Sequence, residues 1–208
     1  MSATTPARVA RDASYGQHGL SPVDRFGVYL SRRAIHRAVG GRRGLEALDL
    51  GCGYHASLLR SRGGQVTGGV GVVVRVSGEA RADHRFRFVE GTVEATLDAM
   101  PDRSFDLVLM ISVLEHLWDP AGVLALVRRV TRPGGTVLIN VPTWLGKGFL
   151  EFSAFRLGTS PACEMDDHKM YYGKRDLWPL LVRAGFRPRD VRLSYHKFGL
   201  NLFAAARG

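Results

Sequence analysis

Between residues 45 and 142, short apolar runs of strand length alternate with segments of helical period, and this alternation confines the chain to few architectures. Runs at 45–50 (LEALDL), 86–90 (FRFVE), 105–111 (FDLVLMI) and 136–142 (TVLINVP) have the length of buried strands, and a valine-rich run from 66 to 76 is broken by Gly68, Gly69 and Gly71. Between them lie ASLLRSR, ending at Gly63-Gly64, and VEATLDAM, stopped by Pro101. The segment 120 to 132 places Val123, Leu124, Leu126, Val127 and Val130 on one side, with proline at its start and Pro133-Gly134-Gly135 at its stop. The pattern predicts an α/β fold built from βαβ units on a mostly parallel sheet.

Both flanks extend this core. Residues 1–24 lack periodicity and predict a mobile leader or a strap laid over one domain spanning 25–208. Phe26, Val28, Tyr29, Ile35 and Val39 predict a helix with one apolar side, ended at Gly40-Gly41. Residues 143–172 form an unusually long irregular connection, expected to be a substrate lid. A helix over 173–184 and two strands at about 187–194 and 198–206, turning near Tyr195, His196 and Lys197, complete the chain.

Composition narrows the function classes. Apolar residues make up 45% of 208 and charged residues 23%, which suits a real core and excludes a disordered chain. No run is long enough for a membrane span, and the first 25 residues hold no signal-type apolar block, so a cytoplasmic protein is expected. Two cysteines, Cys52 and Cys163, exclude a disulfide framework and a cysteine zinc site. The net charge of +10 comes from arginines spread along the chain, without a basic stripe or aromatic interleaving, so no specific nucleic-acid partner is expected.

The sharpest motif is LDLGCGYH at 48–55, between the first strand and the helix after it. Gly51 and Gly53 allow a tight turn and close approach of backbone to a ligand, and Asp49 can accept from a cationic amine. The loop lacks the GKS or GKT of a phosphate loop and the third glycine of a dinucleotide fingerprint.

With three further stretches, FDLVLMISVLEHL at 105–117, VRRVTRPGGTVLINVP at 127–142 and a GF-containing helix-strand unit from Gly185, the sequence resembles the class I S-adenosylmethionine-dependent methyltransferases. The resemblance covers most of residues 45–207. It implies a Rossmann-like, seven-stranded sheet of order 3-2-1-4-5-7-6 with strand seven antiparallel and helices on both faces, and S-adenosyl-L-methionine as cofactor. It also implies that Asp49, Gly51 and Gly53, with Cys52 and Tyr54 beside them, surround the methionine part. Two positions depart from the family pattern. Val73 stands where an acidic residue usually holds the ribose, with Glu79 and Asp83 the next acids, and Gly91-Thr92 replaces the GD that meets adenine, leaving Thr92 or its backbone for that role.

Acceptor chemistry has two candidate locations. Glu115 and His116 follow strand four, where open parallel sheets bind ligands, and an imidazole suits proton transfer. The second is EMDDHKMYYGKRD at 164–176, where His168 is a candidate base, Asp166 or Asp167 would orient its ring, and Tyr171 or Tyr172 would bind the acceptor. Its acids do not match the spaced pattern of magnesium-dependent catechol methyltransferases, so no metal is expected. The expected reaction is O-methylation of a small-molecule or glycan-type acceptor. Two other readings stay open: a methyltransferase-like binding or partner protein without turnover, motivated by Val73, and an RNA methyltransferase, motivated by the charge. Oligomeric state is not legible in the sequence.

Overall fold

A computed structural model of the chain describes residues 13–149 and 168–208. The elements in order are α1 (Pro22–Val39), β1 (Leu45–Leu50), α2 (Ser57–Arg60), β2 (Val66–Val73), α3 (Gly78–Arg81), β3 (Phe86–Glu90), α4 (Val93–Asp98), β4 (Phe105–Ile111), α5 (Pro120–Val130), β5 (Thr131–Pro142), α6 (Lys174–Arg183), β6 (Val191–His196) and β7 (Asn201–Arg207). The strands form one seven-stranded sheet of order β3-β2-β1-β4-β5-β7-β6. β1 to β5 are parallel, and β7 runs antiparallel to both β5 and β6. The expected order and the antiparallel seventh strand are both present.

Period-two alternation sends each central strand's side chains to two cores. Leu48, Leu50, Val108 and Met110 pack with Val123, Leu124 and Val127 of α5 and with Leu177 and Leu181 of α6. Ala47, Leu107, Leu109 and Leu138 pack on the other face with Ile35 and Val39 of α1 and with Phe203 of β7. Leu124 is fully buried, and Leu124→Ala would cost about 2–5 kcal/mol through the cavity it leaves.

Several boundaries differ from the expectations, each for a local reason. α1 begins at Pro22 because Ser21 and Asp24 form a reciprocal capping box, with the Asp24 N–H donating to Ser21 Oγ at 3.1 Å and the Ser21 N–H to Asp24 Oδ2 at 3.2 Å. Its buried side is Ser31, Ile35 and Val39, whereas Phe26 and Tyr29 are exposed. β2 stops at Val73, and Ser77 caps the short α3 by accepting from the Ala80 N–H. α5 ends at Val130 rather than 132, because Thr131 already pairs with Phe105 on β4. The return between β6 and β7 falls at Lys197, Phe198 and Gly199, with φ of 50°, 60° and 86°, so the strands begin and end later than expected.

Candidate active site

The parallel strands bring their carboxyl ends to one edge of the sheet, where β1 turns into the glycine loop. The N–H groups of Gly51 and Cys52 both donate to the Val72 carbonyl, at 2.8 and 3.0 Å, tying the loop to the end of β2. Gly51 has φ of 72°, and a β-carbon there would stand 2.5 Å from Val113 Cγ2 in the segment after β4. Gly53 has φ of 74° and lies against the Tyr15 carbonyl. Both glycines are therefore demanded by the geometry.

Asp49 lies under this loop, 1% exposed, with Oδ2 making no hydrogen bond. Burial raises its pKa to about 7, against the pull of the Arg62 guanidinium. A buried carboxylate with an open acceptor, beside a cradle that any β-carbon would fill, fits the ammonium end of an amino acid-bearing ligand. Cys52 faces Gly71 and Phe88 instead, and burial pushes its thiol pKa up, so it packs the loop from beneath. The Tyr54 N–H donates to the Tyr15 carbonyl at 2.9 Å, and its own carbonyl accepts from Ser77.

Residues 13–20, which the sequence reads as part of a mobile leader or a strap laid over the domain, cross this loop. Besides the Tyr15 contacts, buried Ser14 bonds the backbone of Arg75 just beyond β2. Val73 packs with Cys52, Ala56, Val76 and Ala80. The carboxylate in register with it is Glu90 of β3, which accepts from the Val76 N–H at 2.9 Å and pairs with Arg81 at 2.7 Å. Glu79 pairs with Arg60 on the surface. Thr92 caps α4, its hydroxyl accepting from the Ala95 N–H at 3.3 Å.

Beyond β4, Leu114–His116 forms a single 3₁₀ turn with Glu115 buried. The Lys169 N–H donates to the Glu115 carbonyl at 2.7 Å, which docks the segment carrying His168 onto this turn. The rings of His116 and His168 are 4.8 Å apart, and His168 Nδ1 is 3.1 Å from the Tyr171 hydroxyl. The two histidines named as alternatives thus occupy one cluster, with Tyr171 against His168 and Trp144 packed on Tyr171. Glu164, Asp166 and Asp167 lie outside the described residues. Tyr172 is a core residue: it is 1% exposed, its hydroxyl approaches the Leu114 carbonyl at 3.4 Å, and burial pushes its pKa up to about 12.

Two further polar groups sit near these strand ends. Asn140 on β5 is fully buried, and neither amide atom has a partner among the described residues. It was visible in sequence as a polar residue inside the apolar run VLINV. Lys197 reaches α1, with Nζ 3.5 Å from the place of a β-carbon on Gly27; burial lowers its pKa, while Glu115 and Asp24 oppose the shift. Its placement depends on the left-handed turn, which the sequence marks with Gly199, while Lys197 and Phe198 adopt positive φ without a glycine of their own.

Known proteins resemble this chain in sequence and in fold. The family described as methyltransferase domain matches residues 48–139. A probable S-adenosylmethionine-dependent methyltransferase of Mycolicibacterium smegmatis is 30% identical over 191 residues, covering 85% of this chain and 64% of the relative. A ubiquinone biosynthesis O-methyltransferase of Aeromonas salmonicida is 29% identical, covering 73% and 67%. The chain spans between about half and two thirds of the length of such relatives. Among solved structures, a SAM-dependent methyltransferase from Archaeoglobus fulgidus shares the fold with a TM-score of 0.65 at 16% identity, over 92% of this chain and 96% of that one. Among the described residues no helix is long and apolar enough to cross a membrane.

Proposed function

Since the chain belongs to the class I S-adenosylmethionine-dependent methyltransferase family, we propose that it transfers a methyl group from S-adenosyl-L-methionine to an oxygen of a small hydroxylated molecule. The observation that carries this reading is the union of His116, His168 and Tyr171 in one cluster at the strand edge that also bears the Asp49 loop.

S-adenosylmethionine, when bound, supplies a methyl group already activated by its sulfonium charge. Asp49 would hold the ammonium of the methionine part, with the backbone of Gly51 and Gly53 alongside and Cys52 and Tyr54 shaping the loop. Glu90 is the carboxylate best placed to serve the ribose in place of the absent acid at Val73, and Thr92 would border the adenine. Glu115 would fix the turn that borders both ligands. His168, its Nδ1 turned to Tyr171, presents Nε2 to the acceptor and takes the hydroxyl proton, while alignment of acceptor oxygen and methyl carbon supplies the rest of the acceleration. His116 borders the acceptor from the other side.

Relatives such as those of Aeromonas salmonicida and Leptothrix cholodnii are O-methyltransferases of ubiquinone biosynthesis, which supports an oxygen acceptor and a small molecule rather than a nucleic acid. Cytoplasmic action goes with that reading. Val73 favours a second one, a ligand-binding protein of the same fold without turnover. Incubating the protein with S-adenosylmethionine and a panel of hydroxylated small molecules, and following release of S-adenosylhomocysteine, separates the two. Product with at least one acceptor supports methyl transfer; cofactor binding without product from any acceptor supports the second reading.

A further inference from the structure

Glu115, His116 and His168 each offer one metal-ligand atom, and the three atoms lie within 4.8 Å of one another. We propose that these residues form a three-ligand site for a first-row divalent cation such as Zn²⁺, with an open position for the acceptor oxygen. The inference deepens the proposed function by giving the same residues a different means of activating the acceptor.

Donors bound to one tetrahedral ion at about 2.0–2.2 Å lie roughly 3.4 Å apart, so modest rotation of two half-buried imidazoles closes the set around an ion. The framework is already fixed. Glu115 and His116 share one 3₁₀ turn, and the Lys169–Glu115 backbone bond holds the third ligand's segment against it. Tyr171 supplies the outer contact that metal-bound histidines usually have: its hydroxyl lies 3.1 Å from Nδ1 of His168. Two imidazoles and one carboxylate match zinc and its neighbours better than magnesium, which prefers oxygen ligands. Lys197, whose charge acts on Glu115 from the β6–β7 turn, is the cation with which the metal would compete.

In the reaction, the acceptor hydroxyl would occupy the open position, where the ion lowers its pKa and its proton passes to bulk water. The oxygen then forms the new bond to the methyl carbon as the carbon–sulfur bond breaks, and the sulfur keeps the electron pair to become a thioether. With the ion bound, His116 and His168 serve as its ligands, and the ion replaces His168 as the group that activates the hydroxyl; in the ion-free chain the His168 imidazole keeps its role as base.

The test uses the intact chain, stripped with chelator and titrated with Zn²⁺ by calorimetry and with Co²⁺ by visible absorption. One ion per chain is expected. His116→Ala and His168→Ala should each weaken binding by at least about 100-fold, and Tyr171→Phe, which keeps the core intact, by about 10- to 100-fold. Each variant is checked for cooperative thermal unfolding. Absence of binding of either ion at about 1 mM overturns the site, as does an affinity unchanged by Tyr171→Phe and both histidine substitutions. If no ion binds but His168→Ala abolishes methyl transfer, the site fails while the proposed function stands, with the imidazole as base. If the ion binds as expected but no S-adenosylmethionine does, the site stands and the proposed function falls.

Discussion

The hydroxyl of Ser14 holds both backbone groups of Arg75, accepting from its N–H at 2.7 Å and donating to its carbonyl at 2.6 Å. This pair pins the segment before α1 across the end of β2, and Tyr15 beside it closes over the glycine loop. Ser14→Ala strands two polar groups in a mostly buried place, at a cost of about 1–3 kcal/mol. Thermal unfolding should show a lowered midpoint, and calorimetry a weakened affinity for S-adenosylhomocysteine. Unchanged values for both would show that the strap does not support the loop.

Gly51 and Val113 set a second constraint. A methyl group at position 51 meets both a 2.5 Å contact and a φ of 72°, so Gly51→Ala should destabilise the chain and abolish tight cofactor binding. Adding Val113→Ala removes the contact and leaves the backbone cost of about 1–2 kcal/mol. Partial recovery of stability in the double variant is therefore expected. Full recovery, or none, would contradict the division into steric and conformational parts.

Asp49 makes both stability and binding depend on pH. Its folded pKa, raised to about 7 by burial, lies above the ordinary 3.8. Between those values the folded chain keeps a proton that the unfolded chain has released, so stability falls as pH rises through this window, by on the order of 4 kcal/mol in full. Asp49→Asn should flatten that fall in denaturant titrations from pH 5 to 8. Binding of an ammonium-bearing cofactor requires the ionised carboxylate, so affinity should weaken about tenfold from pH 8 to pH 6. A pH-independent affinity would remove Asp49 from the site.

Asn140 tests whether a buried amide is kept for function. With neither amide atom bonded among the described residues, the side chain carries an unmet desolvation cost. Asn140→Leu, which keeps the branched heavy-atom shape and removes both polar atoms, should raise the unfolding midpoint while lowering methyl transfer. A stabilised variant with undiminished turnover would show that the amide has no part in the reaction.

Strands β1 and β4 were legible because each is a short apolar run bounded by turn residues, and they, like the edge strand β3, occupy the expected residues. The glycine loop was legible because Gly51 and Gly53 need conformations that other residues avoid. What escaped the sequence depends on contacts between distant segments. Ser14 reaches Arg75 across 61 positions, Glu90 stands beside Val73 only through sheet register, and Lys197 is turned inward by a left-handed turn. The meeting of His116 with His168 also lies beyond any local pattern. It is set by the Lys169–Glu115 bond, which joins two segments 54 positions apart.

Calorimetric titration of the intact chain with S-adenosylmethionine and S-adenosylhomocysteine tests the assignment most directly. One site per chain is expected for both ligands, with Asp49→Ala weakening each by at least about tenfold. No heat and no thermal shift with either ligand at millimolar concentration would contradict it.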